Sequence, residues 1–206
     1  MVEFIEDKNN DNIKKIIEQM NKNNGYITSK EVTKIGVHRM YLNIMQNDNL
    51  IEKVGNGIYI DSSKMLDEYF IFYKELPNIV FSHMTSLYFW NLSIKAPTDE
   101  YDITVKYNYF NYKMRKHNVF YVSDSFYNLG ITEVETPLGN KVKAYDIERC
   151  ICDIIRSKNR MDIEHVKYSI KEYLKRKDKD LVKLSFYAEK MGIKSEVMEF
   201  VVMLYE

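Results

Sequence analysis

Three local signals follow one another between residues 26 and 60, and their spacing leaves the chain little conformational choice. Thr28-Ser29-Lys30-Glu31 is a capping box: the Thr hydroxyl and the Glu carboxylate can each satisfy an orphan N–H at a helix start. Ile27 before it and Val32 after it suit a hydrophobic staple. Gly36 marks a turn, and Gly55-Asn56-Gly57 closes a hairpin between the runs 50–54 and 57–60. Upstream, Ile13, Ile16, Ile17 and Met20 recur at helical spacing from about Asp11 to Lys22, where Asn23-Asn24-Gly25 ends the stripe. The predicted order is a helix, a short extended piece at Tyr26-Ile27, a second helix over Ser29–Lys34, a third over Val37–Asn47, and a hairpin. Val37, Tyr41, Ile44 and Met45 are expected to turn partly inward. Three short helices closed by a β-wing make a winged helix-turn-helix, a unit that places its third helix in a DNA major groove.

The expected domains are 1–61, the DNA-binding unit, and 62–206, a mixed domain. The chain of 206 residues is long enough for both. Thirty Lys/Arg balance thirty Asp/Glu, which argues against a protein that coats nucleic acid through bulk charge. Residues 1–61 carry eight basic and nine acidic groups, so DNA binding there must rest on local arrangement. There is no apolar run of membrane-spanning length, and the polar start, MVEFIEDKNNDN, has no signal-peptide core. Cys150 and Cys152 lie too close together for a disulfide or a zinc site. A cytoplasmic protein without membrane contact is expected.

Beyond Asp61 the pattern is α+β. Asp61-Ser62-Ser63 is expected to start a helix reaching about Tyr73, and Phe81–Leu92 reads as helical. Strands are expected at 101–105, 118–123, 131–136 and 141–145, the last two joined at Pro137-Leu138-Gly139-Asn140, in a small, mostly antiparallel sheet. Helices follow at 147–156, 163–175, 181–191 and 196–205, with Asp146, Asp162, Asp180 and Ser195 as caps.

With those elements placed, a resemblance emerges. GYITSKEVTKIGVHRMYLNIMQNDNLIEKVGNGIYI resembles the N-terminal domain of the AbiEi antitoxin family. FSHMTSLYFWNLS, from Phe81 to Ser93, looks like that family's Ser-His-x-Ser/Thr-Ala-Leu-Tyr helix, with Ser86 in the Ala position. Thr136-Pro-Leu-Gly-Asn140 and the run from Ala144 to Arg156 resemble its later hairpin and Glu-Arg-Thr-x-x-Asp helix. The resemblance spans both domains. It implies the antitoxin of a type IV toxin–antitoxin system, a non-enzymatic protein that needs no cofactor. Such a protein represses its own promoter by binding double-stranded DNA at inverted repeats. It counters a nucleotidyltransferase-like toxin without forming a stable complex with it.

Residue by residue, the DNA-reading candidates are Thr28, Ser29, Lys30, His38, Arg39, Tyr41, Asn43, Lys53 and Asn56. Ser29 and Lys30 lie at a helix N-terminus, where backbone N–H groups favour phosphate. His38, Arg39 and Asn43 are expected on the exposed side of the third helix; Arg suits guanine and Asn suits adenine. Lys53 and Asn56 flank the wing. The alternative is a protein-docking module whose polar side chains are merely solvated.

A second patch is formed by Lys106, Lys113, Arg115 and Lys116 in a segment interleaved with aromatics at 107, 109, 110 and 112. Basic groups among stacking rings suit nucleic acid; a strand or loop that buries its rings is the competing reading. Two further constellations suggest an enzyme. Ser82-His83 with Asp102 hints at a hydrolase, but nothing resembles a nucleophile elbow. Asp146, Glu148 and Asp153 hint at a metal-dependent nuclease, against which a helix cap and a salt bridge of Glu148 to Arg149 or Arg156 are the simpler reading.

Overall fold

The computed structural model describes residues 2–204, with side chains from Asp11 onward; the predicted end of the last helix, Tyr205, lies outside them. The fold is α+β with two small sheets. Contacts divide the chain into one unit of residues 1–77 with 138–140, and a second of 78–137 with 141–206.

In the first unit, α1 (Val2–Lys22) begins well before the expected Asp11; no Gly or Pro interrupts that stretch. Strand β1 (Tyr26–Thr28) leads directly into α2 (Ser29–Lys34). The capping box is fully formed: Glu31 N donates to Thr28 Oγ1 (3.2 Å), and Thr28 N donates to Glu31 Oε2 (2.7 Å). Helix α3 spans Met40–Asn47, so it starts three positions later than the pattern predicts. Val37 and His38 belong to the connection, and Arg39 is the cap residue. The reason is local: no Ser, Thr, Asp or Asn precedes this helix, and His38 Nδ1 instead accepts the Met40 N–H at 3.2 Å.

Strands β2 (Ile51–Gly55) and β3 (Ile58–Asp61) form the hairpin, and β1 adds to β3 in a three-stranded antiparallel sheet, β1-β3-β2. Ile16, Met20, Ile27, Val32, Val37, Tyr41, Leu42, Met45, Ile51 and Tyr59 make one core. Helix α4 (Glu68–Glu75) completes the unit and so groups with the first unit rather than the second. It starts later than Asp61 because Asp61 binds the N–H and hydroxyl of Ser63 in a local turn, whereas Asp67 accepts the Phe70 N–H and caps the helix.

The second unit is built on a five-stranded sheet of β4 (Val80–Phe81), β5 (Asp102–Lys106), β6 (Asn118–Val122), β7 (Ile131–Glu135) and β8 (Lys141–Tyr145) in the order β6-β5-β4-β8-β7. The sheet is mixed rather than mostly antiparallel: β4–β5 and β7–β8 are antiparallel, while β4–β8 and β5–β6 are parallel. Only the β7–β8 pair is a local hairpin with a sequence signal. The parallel pairs are set by crossovers, which leave none.

Helices α5 (His83–Phe89), α6 (Asp124–Tyr127), α7 (Ile147–Arg156), α8 (Ile163–Lys175), α9 (Leu181–Lys190) and α10 (Lys194–Leu204) pack with it. Asp146, Asp162 and Asp180 cap α7, α8 and α9 as expected, but Ser195 lies inside α10. Helix α7 is the buried axis: Cys150, Ile151, Cys152, Ile154 and Ile155 all sit in the core. No described helix is long and apolar enough to cross a membrane.

Candidate nucleic-acid interface

The surface of α2 and α3 is assembled from the turn between them. Thr33 Oγ1 donates to Ser29 O (3.0 Å) and accepts from Arg39 Nε (3.1 Å), tying the Arg39 side chain back to α2. That bond uses one of the five guanidinium N–H donors. Lys30, Lys34, His38, Arg39, Met40, Asn43 and Asn47 are exposed around it. No acidic residue occurs between Val32 and Asn47, and the nearest one before them, Glu31, is held in the capping box.

The predicted residues sort clearly. Lys30, His38, Arg39, Asn43, Lys53 and Asn56 are exposed. His38 and Arg39 lie at the entrance of α3, not along its face as expected. Tyr41 is 9% exposed and belongs to the core, so its ring is not part of the surface. Thr28 is half-buried, and its hydroxyl is engaged with Glu31. Ser29 is half-buried and gives its N–H to Gly57 O (2.8 Å). Gly57 has φ +68°, and a Cβ there would stand 3.2 Å from Ser29 Oγ, so the hairpin turn is locked against the start of α2.

Sequence reasoning missed Lys34 and Asn47. Asn43 and Asn47 stand four apart, and with Met40 they form one exposed α3 face between the core positions Tyr41, Leu42 and Met45; that polar spacing was the available signal. It also missed an acidic neighbour: Glu75 Oε1 accepts the Asn56 N–H at 3.2 Å, which puts a carboxylate against the hairpin turn.

In the second unit, the segment after β5 is a loop with a short 3-10 turn at Tyr112–Met114, and of its rings at 107, 109, 110 and 112 it half-buries only Tyr109. Tyr107, Phe110 and Tyr112 are 71%, 63% and 68% exposed. Of the predicted patch, Arg115 and Lys116 are exposed and Lys113 is half-buried. Lys106 is paired with Asp124 (3.0 Å).

Ser82, His83 and Asp102 do not form a triad. His83 Nδ1 meets Ser82 Oγ (2.9 Å) and Nε2 meets Ser157 Oγ (3.2 Å), while the ring stacks on Phe120 at 3.5 Å. Burial, reinforced by Arg149, Arg160 and Arg156, holds this imidazole well below the usual histidine range. Asp102 instead accepts from Met84 N (2.9 Å) and Asn118 Nδ2 (3.0 Å); burial raises its pKa. A nearby pocket of about 280 Å³ is lined by the acids Glu100, Asp102 and Asp162 and the bases Lys95 and Arg160, with His165 beside them.

The α7 carboxylates go to cations. Asp146 and Glu148 share Lys183 (3.0 and 3.2 Å), and Asp153 takes Arg149 Nε (3.1 Å). The salt bridge expected between Glu148 and Arg149 or Arg156 is thus replaced by Glu148–Lys183 and by Arg149–Asp153 on one helix face. Among the described residues, no group of three His, Cys, Asp or Glu is placed to hold a metal ion. Cys150 and Cys152 are free and buried, and burial pushes both thiols up.

No family model and no curated protein matches the chain. Among solved structures it is similar to the crystal structure of the RV2827C protein from Mycobacterium tuberculosis. The TM-score is 0.47 and the identity 8%, with 91% of this chain and 79% of that chain covered.

Proposed function

We propose that the first unit is a winged helix-turn-helix that binds double-stranded DNA, and that the chain is an AbiEi-type antitoxin. It acts in the cytoplasm by binding rather than by catalysis. It represses its own promoter at inverted half-sites and counters a nucleotidyltransferase-like toxin without a stable complex. The antitoxin part of this reading rests on the motif resemblance in both units.

One observation carries the DNA-binding part. Between Val32 and Asn47 the chain exposes Lys34, His38, Arg39 and three amide or apolar α3 positions with no acid among them, beside Lys30 at the start of α2. A phosphate backbone meets cations there, and Asn43 and Asn47 present amides suited to adenine edges. Arg39, braced by Thr33, is held at the entrance of the helix whose first turn enters the groove.

The test is a mobility-shift titration on DNA upstream of the gene, with Arg39→Ala and Lys30→Ala beside the parent. Each change is expected to weaken binding by about 1–3 kcal/mol if it removes a base or charged phosphate contact. Lys30→Ala should also lower the slope of log affinity against log salt by about one. If both variants bind like the parent at every salt concentration, this is not the reading face.

A further inference from the structure

We infer that the loop between β5 and β6, residues 107–116, is a binding site for single-stranded nucleic acid. This does not depend on the duplex-binding role proposed for the first unit. The loop joins two parallel neighbours and is pinned at both ends. At its start, Lys106 Nζ pairs with Asp124 at 3.0 Å and lies 5.4 Å from the Tyr127 ring centroid. At its end, Met114 is buried, and His117 Nδ1 accepts the Tyr101 N–H at 3.1 Å while the two rings stack at 4.9 Å. Within the loop, Asn111 Oδ1 accepts the Lys113 N–H (3.0 Å) and Tyr109 N donates to Lys106 O (3.0 Å).

A pinned loop that leaves Tyr107, Phe110 and Tyr112 each more than 60% exposed displays three rings that the protein's own packing does not use. No acid occurs from Ile103 to Ser123, and Asp124, which follows, is paired with Lys106. Arg115 and Lys116 are exposed, and the Arg115 guanidinium lies 5.9 Å from the Phe110 ring centroid. Exposed rings give unpaired bases a face to stack on, and adjacent cations take the phosphates between them. A duplex offers phosphates but hides its base faces, so it would use the cations and leave the rings idle. A membrane surface also takes rings beside cations, so phosphatidylserine vesicles serve as the contrasting probe.

The experiment is fluorescence anisotropy of the full chain with 5′-labelled oligo-dT and oligo-rU of about 12 nucleotides, a length within the usual single-strand site size. The parent should bind both. Tyr107→Ala, Phe110→Ala and Tyr112→Ala should each weaken binding by about fivefold or more. Tyr107→Phe and Tyr112→Phe, which keep the rings, should bind like the parent. Paired Arg115→Glu and Lys116→Glu should weaken binding and flatten its salt dependence. Lys30→Ala with Arg39→Ala should leave oligonucleotide binding intact, and the ring variants should still shift promoter DNA, which also shows that they fold. The proposal falls if the parent binds neither oligonucleotide or if the ring-to-Ala variants match it. It also falls if the ring variants lose duplex binding equally, or if the rings matter only for binding phosphatidylserine vesicles.

Discussion

Helix α7 and the α2–α3 surface use the same side-chain chemistry to opposite ends. In α7, Arg149 is fully buried; its Nε meets both oxygens of Asp153 (3.1 Å), and its Nη1 donates to Phe126 O and Leu129 O at 2.5 and 2.7 Å. Its guanidinium also lies 4.2 Å from the Tyr145 ring centroid. On the α2–α3 surface, Arg39 makes one neutral hydrogen bond and stays exposed, and no acid stands between Val32 and Asn47. What separates them is an acid within helical reach. Asp153 lies four residues from Arg149 on the same face and draws the cation inward; Arg39 has no acid within helical reach and stays at the surface. The buried pair is architecture, whereas the exposed arginine is the one the proposed DNA contact would use.

The largest expected effect tests the architectural side. Arg149→Ala leaves the Asp153 carboxylate buried without its cation and orphans two carbonyls, so urea unfolding should show a loss of about 3–5 kcal/mol. A loss under about 1 kcal/mol, the scale of an exposed pair, would erase the contrast between the two helices. Gly130 has φ +82°, and a Cβ there would stand 2.8 Å from Arg149 Cβ, so the backbone packs closely on the arginine stem. On the binding side, Arg39→Ala and Lys30→Ala are expected to cost the 1–3 kcal/mol of DNA affinity given above, with little change in unfolding because both side chains are exposed.

How much of this contrast was legible beforehand follows from how local each determinant is. The Thr28–Glu31 box, the Gly36 turn, the hairpin at Asn56-Gly57 and the caps at Asp146, Asp162 and Asp180 are short-range devices, and each is formed where expected. The sequence does not mark the start of α3, because His38 supplies an uncommon side-chain acceptor for Met40 N. Nor does it mark the start of α4, because Asp61 and Asp67 are equally good caps in sequence, and only the fold shows Asp61 turned to Ser63. The parallel pairings of β4–β8 and β5–β6 join strands with no shared turn, so nothing in the sequence marks them. At the candidate interface, the spacing of Tyr41 suits either face of α3; packing puts it inside. Glu75 lies too far along the chain from Asn56 for any motif to have linked them.

A smaller effect sharpens the comparison through pH. Burial, helped by Lys116, lowers the His117 pKa from 6.5 to about 4, and burial lowers that of His83 as well. Nδ1 of His117 accepts a backbone N–H, which requires the neutral ring. Because the folded values lie below the unfolded one, the unfolded chain takes up protons first as pH falls. Stability should therefore be fully present above about pH 6.5 and decline toward pH 4. Urea midpoints at pH 7, 6 and 5 check this, and His117→Gln should remove part of the decline. A flat profile would mean that these imidazoles are not held neutral by the fold.

The smallest expected effect concerns an acid at the hairpin turn of the proposed interface. Glu75 Oε1 accepts the Asn56 N–H at 3.2 Å, so a negative charge sits where a wing would approach the phosphate backbone. Glu75→Gln keeps an oxygen able to accept that bond and removes the charge, leaving the turn geometry intact. If the hairpin meets DNA, promoter affinity should rise about two- to threefold at low salt, a modest gain because the charge acts partly through water. The gain should fade as salt shortens the screening length. Unchanged affinity at every salt concentration would place the hairpin turn away from the duplex and confine the interface to α2 and α3. A gain that persists in high salt would point to a direct contact made by the new amide, and would make this turn a second reading element rather than a passive flank.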